Sequence, residues 1–338
     1  MDFSERRKIA RVNLELPRLG VGCAAFGGLY NPVSLDDAMG VLLQAWSAGI
    51  RYFDTAPMYG LGRAEHLLGH FLRECIDDAS DTVISTKAGR LMTRDRPGRN
   101  LPPAPPKNPL DPGWQNGLGF REVFDYSYDG IMRSFDDSQQ RLGRPEIDLL
   151  YVHDIGRVTH ADLHDFHWRA LTSGGFRALE ELRSAGLIKG FGLGVNEAEA
   201  ISDAMNEVQL DCCLLAGRYT LLDRSAAPLL AKAQTNGVSI VCGGVYNSGI
   251  LAGTGAGQTK FDYAEAPSAI LQTVERLASL CASHDVPLGA AAVQFPLRNP
   301  AVTSVVVGAR TAANVTQGLD WFSQPIPEAL WAELEAES

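Results

Sequence analysis

The sequence predicts an α/β fold, a (β/α)8 TIM barrel forming a single domain over residues 1–338, and three observations predict it. Eight apolar runs alternate with eight helical stretches. The runs are near-continuous in Val, Ile and Leu, as expected of strands buried on both faces of a parallel sheet. A chain of 338 residues, 45% hydrophobic, has the size of one such barrel. A doubly wound sheet is the competing architecture, but no Gly-x-Gly-x-x-Gly turn follows the first strand; Gly20 and Gly22 precede none.

Arg18–Ala24 reads as the first strand and gives way to a Gly27–Gly28 loop. Ser34 is an N-cap residue type, and the helix behind it carries an apolar face through Met39, Leu42, Leu43 and Trp46. Tyr52–Ala56 is the second strand, stopped by Pro57 and Gly60, with a helix from about Arg63 to Glu74 beyond. Val83–Lys87 is the third strand. Helix Tyr128–Arg141 leads to the fourth, Ile147–His153, and helix Gly174–Ala185 to the fifth, Ile188–Val195. Helix Glu197–Asn206 precedes strand Gln209–Ala216, and helix Ala226–Asn236 precedes strand Val238–Val245. Helix Pro267–His284, strand Thr303–Val307, helix Thr311–Phe322 and a short Glu328–Glu335 helix complete the pattern.

Two connections exceed the usual length. Residues 88–125 form a lid-like loop inserted after the third strand, rich in proline (Pro97, Pro102, Pro103, Pro105, Pro106, Pro109, Pro112). Trp114, Phe120 and Phe124 give it apolar groups to pack with. Gly253–Glu265, after the seventh strand, reads as a mobile flap.

The net charge of −10, without acidic blocks, makes nucleic acid and anionic membrane poor partners. No apolar run approaches the roughly 20 residues a bilayer span needs. Met1–Arg11 lacks the hydrophobic segment of a signal peptide, so a cytoplasmic location is expected. None of Cys23, Cys75, Cys212, Cys213, Cys242 and Cys281 forms a Cys-x-x-Cys pair. Buried free thiols are therefore expected, and no metal site.

The chemistry is expected at the C-terminal mouth of the barrel. Asp54 lies near the C-terminal end of strand two, Tyr59 on the loop just beyond it, Lys87 ends strand three and His153 ends strand four. A lysine ending a buried strand needs a counter-charge, which Asp54 next door can supply. A buried ammonium beside Tyr59 is expected to pull its phenol down from ~10 toward neutrality, making it a general acid/base. His153 can then donate a hydrogen bond to a substrate oxygen. A buried ion pair plus a core histidine would explain three of these residues, but not their convergence with Tyr59.

Phe53–Asp54–Thr55–Ala56 with Tyr59–Gly60, Ser85–Thr86–Lys87 and Tyr151–Val152–His153 together resemble the aldo-keto reductase family over nearly the whole chain, from Leu19 to about Phe322. The resemblance implies a barrel that binds an extended nicotinamide cofactor, with Tyr59 exchanging the proton, Lys87 and Asp54 tuning it, and His153 positioning the carbonyl or hydroxyl. It implies cofactor contacts from Asn196, although Val195 stands where the family has Ser. It implies a pyrophosphate loop of Gly243, Gly244, Val245, Asn247, Gly249 and Leu251, with Gly243 in place of the usual aromatic ring. It also implies an adenosine-phosphate segment with Gly308, Arg310 and Asn314.

Family members that prefer NADPH place Lys at the position of Gly308 and Arg at that of Asn314. Neither cation is present, so NAD is expected as the preferred cofactor, with NADP possible through Arg310. Within the family the chain is similar to members that oxidise aldoses such as L-fucose, D-threo-aldoses or L-galactose at C1. The alternative is similarity to bacterial members that oxidise pyridoxal to its lactone. Either substrate is a small cyclic hemiacetal losing hydride from carbon and a proton from its hydroxyl. Trp114, Asp154 and Tyr219 are candidate substrate contacts, and Arg157 a further one. An NADPH-dependent carbonyl reductase and a non-catalytic redox-sensing subunit are the remaining alternatives.

Overall fold

The computed structural model describes residues 1–94, 113–253 and 259–337. Eight parallel strands close into a barrel. They are β1 (Leu19–Gly22), β2 (Tyr52–Asp54), β3 (Val83–Ala88), β4 (Ile147–His153), β5 (Ile188–Val195), β6 (Cys212–Ala216), β7 (Ser239–Gly243) and β8 (Val302–Gly308). Each pairs with its sequence neighbours, and β8 closes the ring on β1 through Val305–Leu19 to Gly308–Gly22. Every residue of β3 and β4 is buried, which explains why no polar–apolar alternation marks these strands.

Period-two geometry decides what the barrel holds inside. Tyr52, Val83, Leu149, Tyr151, Cys212, Leu214, Val241 and Val306 form one interior cluster. Stepping two residues onward from Tyr52, Val83 and Tyr151 brings Asp54, then Ser85 and Lys87, then His153 to the same inner surface, one layer nearer the mouth. The opposite end is plugged by Ile9, Leu14 and Leu16 of an antiparallel hairpin, Arg6–Lys8 with Glu15–Pro17, which the sequence reading did not anticipate.

The helices lie where expected: α1 (Leu35–Ser47), α2 (Arg63–Glu74), α3 (Tyr128–Leu142), α4 (Phe176–Ser184), α5 (Ala198–Glu207), α6 (Ala227–Thr235) and α7 (Ser268–Ser283). The Ser34 hydroxyl accepts from Asp37 N and caps α1 as its residue type predicts. One position on that helix is corrected. Leu43 is 46% exposed, because Ala38, Val41, Leu42 and Ala45 form the buried stripe and Leu43 lies off it. A short α8 (Leu288–Gln294) was not anticipated; α9 (Ala312–Ser323) and α10 (Glu328–Ala336) follow β8.

The inserted connections differ most from expectation. Residues 95–112, including all the prolines named above, lie outside the described residues. Both ends of the 88–125 segment are strand rather than loop: Arg90–Thr93 pairs antiparallel with Arg121–Phe124. Phe124 packs beneath Arg90, whereas Phe120 is 46% exposed. The described part of the expected flap forms a small hairpin, Lys260–Phe261 with Ala264–Glu265. Between β4 and α4 the chain makes further helical turns over residues 157–175, and these pack His160, His164 and His167. Five of the six cysteines are buried and Cys75 is exposed; all are free thiols. Among the described residues, no helix is long and apolar enough to cross a membrane.

Candidate active site

At the barrel mouth the Lys87 ammonium donates to Asp54 Oδ2 at 2.8 Å and to the Thr55 carbonyl at 2.8 Å. Asp54 Oδ1 accepts from Ser85 Oγ at 2.7 Å, so both carboxylate oxygens are engaged. Burial alone would lower the Lys87 ammonium, but the Asp54 carboxylate and the Tyr59 oxygen outweigh it and hold it above its ordinary value. The Lys87 stem passes Gly194 on β5, where a Cβ would lie 3.2 Å from Lys87 Cε. A side chain there would crowd the lysine.

Lys87 Nζ sits 4.6 Å from the centre of the Tyr59 ring. The Tyr59 loop is packed against the β1 loop through Gly27 and Gly60, whose backbones approach so closely that a Cβ on either would clash. One expectation is overturned here. Burial pushes the Tyr59 phenol up to about 12, and the pull of Lys87 offsets this only in part. The reason is that Lys87 is already neutralised by Asp54, while desolvation of a phenolate acts in full. The resting protein therefore holds Tyr59 as the protonated phenol.

The His153 ring stands edge-on to Tyr59, with centroids 6.1 Å apart. Burial, then Arg90 and Lys87, hold it well below its ordinary value, so it is neutral. Its backbone is anchored by Tyr126, whose hydroxyl donates to the His153 carbonyl at 2.7 Å.

Two connected spaces open from this group. The smaller, about 90 Å³, is bounded by Tyr59, Lys87, His153, Asp154, Trp114, Met58 and Leu29. The larger, about 420 Å³, runs from Tyr59 and Asn196 past the turn after β7 to the start of α9. Of the expected cofactor contacts, Asn196, Gly243, Gly244, Val245, Asn247, Gly249, Gly308, Arg310 and Asn314 line this cleft. Leu251 does not. It is fully buried in a cluster that includes Ile250 and side chains of α7 and of the 288–294 helix, because the turn bends it away from the cleft.

The cleft suits an extended dinucleotide. Backbone φ is positive at Gly244, Asn247, Ser248 and Gly249, which curls the turn into a concave cradle. Asn247 Oδ1 is buried there without a partner among the described residues. Thr311 caps α9, so that helix directs its N-terminus at the far end, where Arg310 and Asn314 stand. Gly243 lines the cleft without a side chain.

Among the candidate substrate contacts, Trp114 and Asp154 reach the smaller space, with the Trp114 ring 5.5 Å from Tyr59. Tyr219 does not. Its ring packs on Phe295, 5.2 Å away, because β6 ends before it and the chain turns outward. Arg157 also lies elsewhere, pairing with Asp165 on the exposed face of the inserted turns.

Three contributors went unrecognised in the sequence. Arg90, fully buried, pairs with Glu122 and Asp154 behind the smaller space. Tyr263, delivered by the small hairpin, lines both spaces beside Asn196. Arg218 ties this region together, donating to the Asn196 carbonyl at 3.0 Å and to both Asp262 oxygens. Arg90 follows a predicted strand end by three residues, so reading the next residues as strand would have found it. For Tyr263 the sequence carries no such signal.

The sequence profile of the Aldo/keto reductase family matches residues 18–337. The chain is 62% identical over 336 residues to a pyridoxal 4-dehydrogenase of Microbacterium luteolum, covering 99% of this chain and 97% of that one. It is 42% identical to a D-threo-aldose 1-dehydrogenase of a Pseudomonas species, covering 96% and 95%. In fold it resembles the holo form of an aldo-keto reductase of Bacillus halodurans, with a TM-score of 0.74, 21% identity and coverage of 99% and 96%. A glycerol dehydrogenase of Gluconobacter oxydans is equally similar in fold, with a TM-score of 0.74, 19% identity and coverage of 99% and 95%. The chain is an oxidoreductase with a nicotinamide nucleotide cofactor, and it belongs to the aldo/keto reductase family.

Proposed function

We propose that the protein oxidises pyridoxal, as its cyclic hemiacetal, to the corresponding lactone with NAD. The observation that carries this reading is the 62% identity, along both chains, to a pyridoxal 4-dehydrogenase. The small space beside Tyr59 supports it. Leu29, Met58 and Trp114 give it apolar and aromatic walls against which a flat heteroaromatic ring can pack, with Asp154 and Asn196 among its polar groups. Aldose oxidation is the second reading, supported by the 42% identity to a D-threo-aldose 1-dehydrogenase.

In this reading the hemiacetal hydroxyl lies between Tyr59 and His153. Its proton passes to Tyr59 oxygen, which must first have released its own proton past Lys87 toward solvent. When bound, the nicotinamide supplies the hydride acceptor. Asp54 keeps Lys87 charged and aimed at Tyr59. Neutral His153 donates a hydrogen bond to the reacting oxygen and fixes the angle at which carbon presents its hydrogen. The preference for NAD rests on the far end of the cleft, where Arg310 stands beside the uncharged Asn314 and Gly308. One guanidinium is a poor match for a doubly charged 2′-phosphate.

The test is a spectrophotometric panel of pyridoxal, L-fucose, D-arabinose and L-galactose, each with NAD and with NADP, at mildly alkaline pH. Pyridoxal with NAD as the best pair by kcat/KM is the expected result. A sugar exceeding pyridoxal replaces the first reading with the second, and reduction of aldehydes with NADPH alone refutes both.

A further inference from the structure

We propose that Asp154, clamped by Arg90, selects the tautomer of His153 and so acts as a positioning residue for the hydrogen bond that His153 donates. The proposal rests on the role given to His153 above. A neutral imidazole carries one N–H, and that role requires it on the nitrogen facing the reacting oxygen. The usual device is a hydrogen bond from Nδ1–H to a carbonyl or carboxylate, or its converse, at the other nitrogen. Among the described residues that device is missing: His153 Nδ1 is buried and none of them partners it.

What remains is Asp154. Its Oδ2 lies 3.5 Å from His153 Nε2. With the proton on Nε2, the positive edge of the ring faces the carboxylate. With the proton on Nδ1, the Nε2 lone pair faces it instead, and Nδ1–H becomes a buried donor without an acceptor. Both effects favour Nε2–H, and both are enhanced in a site shielded from water. A separation of 3.5 Å is too long for a strong hydrogen bond. It biases the proton's location while leaving Nε2–H free to reach a substrate oxygen.

The carboxylate can do this only if it is fixed, and the structure fixes it. Arg90 Nη2 donates to Asp154 Oδ2, while Arg90 Nη1 donates to Glu122 at 2.9 Å. The guanidinium stacks 4.8 Å above the centre of the Phe124 ring and is 1% exposed. The Asp154 backbone N–H donates to the Gly194 carbonyl at 3.1 Å, holding its loop to the end of β5. The hairpin at the base of the 88–125 segment thereby reaches the chemistry through one buried arginine.

The experiment is ¹⁵N NMR of the histidine rings in the whole protein with NAD present, with His153 assigned by its loss in His153→Gln. Expected is Nε2–H in the wild type, a shift toward Nδ1–H in Asp154→Asn, and a fall in kcat of at least about tenfold in that variant. That is the direction seen when a carboxylate that fixes an imidazole tautomer is neutralised. The KM for NAD should stay within about twofold, since nothing that lines the far cleft is touched. Asp154 sits at φ +45°, a conformation asparagine also tolerates, so the backbone is kept.

A wild-type His153 carrying its proton on Nδ1 overturns the proposal without any variant. So does Asp154→Asn with an unchanged Nε2–H signal, even if turnover falls. Wild-type turnover in His153→Gln would instead sink the role of His153 itself, whatever the tautomer.

Discussion

Lys87 and Asp54 face each other across adjacent barrel strands, Nζ to Oδ2 at 2.8 Å, and both side chains are almost wholly buried. Such a pair is poor evidence of net stabilisation, but each partner is costly to strand alone. Lys87→Met leaves a buried carboxylate without its cation and should destabilise the protein by about 3–5 kcal/mol while abolishing turnover. Combining it with Asp54→Asn should restore much of the stability and none of the activity. Chemical denaturation and steady-state assays on the single and double variants separate the two effects; equal stability of both would count against the ion pair.

Tyr59 should behave as a phenol that resists ionisation. Tyr59→Phe should lose turnover and keep NAD binding, because only the hydroxyl is removed. In the protein without ligands, the difference in phenolate absorbance between wild type and Tyr59→Phe should stay near zero below about pH 10, the ordinary phenol value, and grow toward about 12. A difference already present near neutrality would restore the lowered phenol that sequence reasoning expected.

Gly194 is small because Lys87 needs its space. In Gly194→Ala the new Cβ would meet Lys87 Cε at 3.2 Å and Tyr151 Cβ at 3.1 Å. The strand wall cannot yield easily, so the ammonium should shift and kcat should fall by about tenfold, in line with the sensitivity of positioned groups to small displacements. Unchanged kinetics in a folded Gly194→Ala would show that Lys87 tolerates displacement.

Cofactor preference should reside at the end of the cleft. Asn314→Arg adds a second guanidinium beside Arg310 and should raise kcat/KM for NADP relative to NAD by about tenfold or more. Arg310→Ala should weaken NADP more than NAD. Parallel kinetics with both nucleotides test this, and an unaltered ratio in both variants would place discrimination elsewhere.

Acid should destabilise the inserted turns between β4 and α4. Burial, then the neighbouring His167, pushes His160 down to about 3, while its ordinary value is 6.5. Its folded value lies below its unfolded one, so its contribution is fully present above about pH 6.5. As pH falls toward 3, the unfolded chain takes up a proton that the folded chain refuses, and stability is lost. His160→Gln, whose amide can still meet the Tyr126 hydroxyl, should show a smaller drop in melting temperature between neutral and mildly acidic pH than the wild type. A parallel drop in the two proteins would assign acid sensitivity to other groups.

By itself the sequence determined the barrel and the positions of four reactive groups. Buried strands leave continuous apolar runs, and a period of two puts Asp54, Lys87 and His153 on one inner surface once Tyr52, Val83 and Tyr151 point inward. The hydrophobic pattern carries that information locally, so short windows were enough. What depends on distant segments meeting was decided only by the tertiary structure. Arg90 matters because Glu122 and Asp154, far apart in the chain, close on it, and Tyr263 because a hairpin carries it back to the spaces that Asn196 lines. Leu251 and Tyr219 sit in motifs that point to the site, yet the local bend of the backbone turns both into packing residues. The same holds for the Tyr59 phenol: its neighbour's charge is legible in the sequence, whereas desolvation, the larger effect, exists only when the barrel has closed around it.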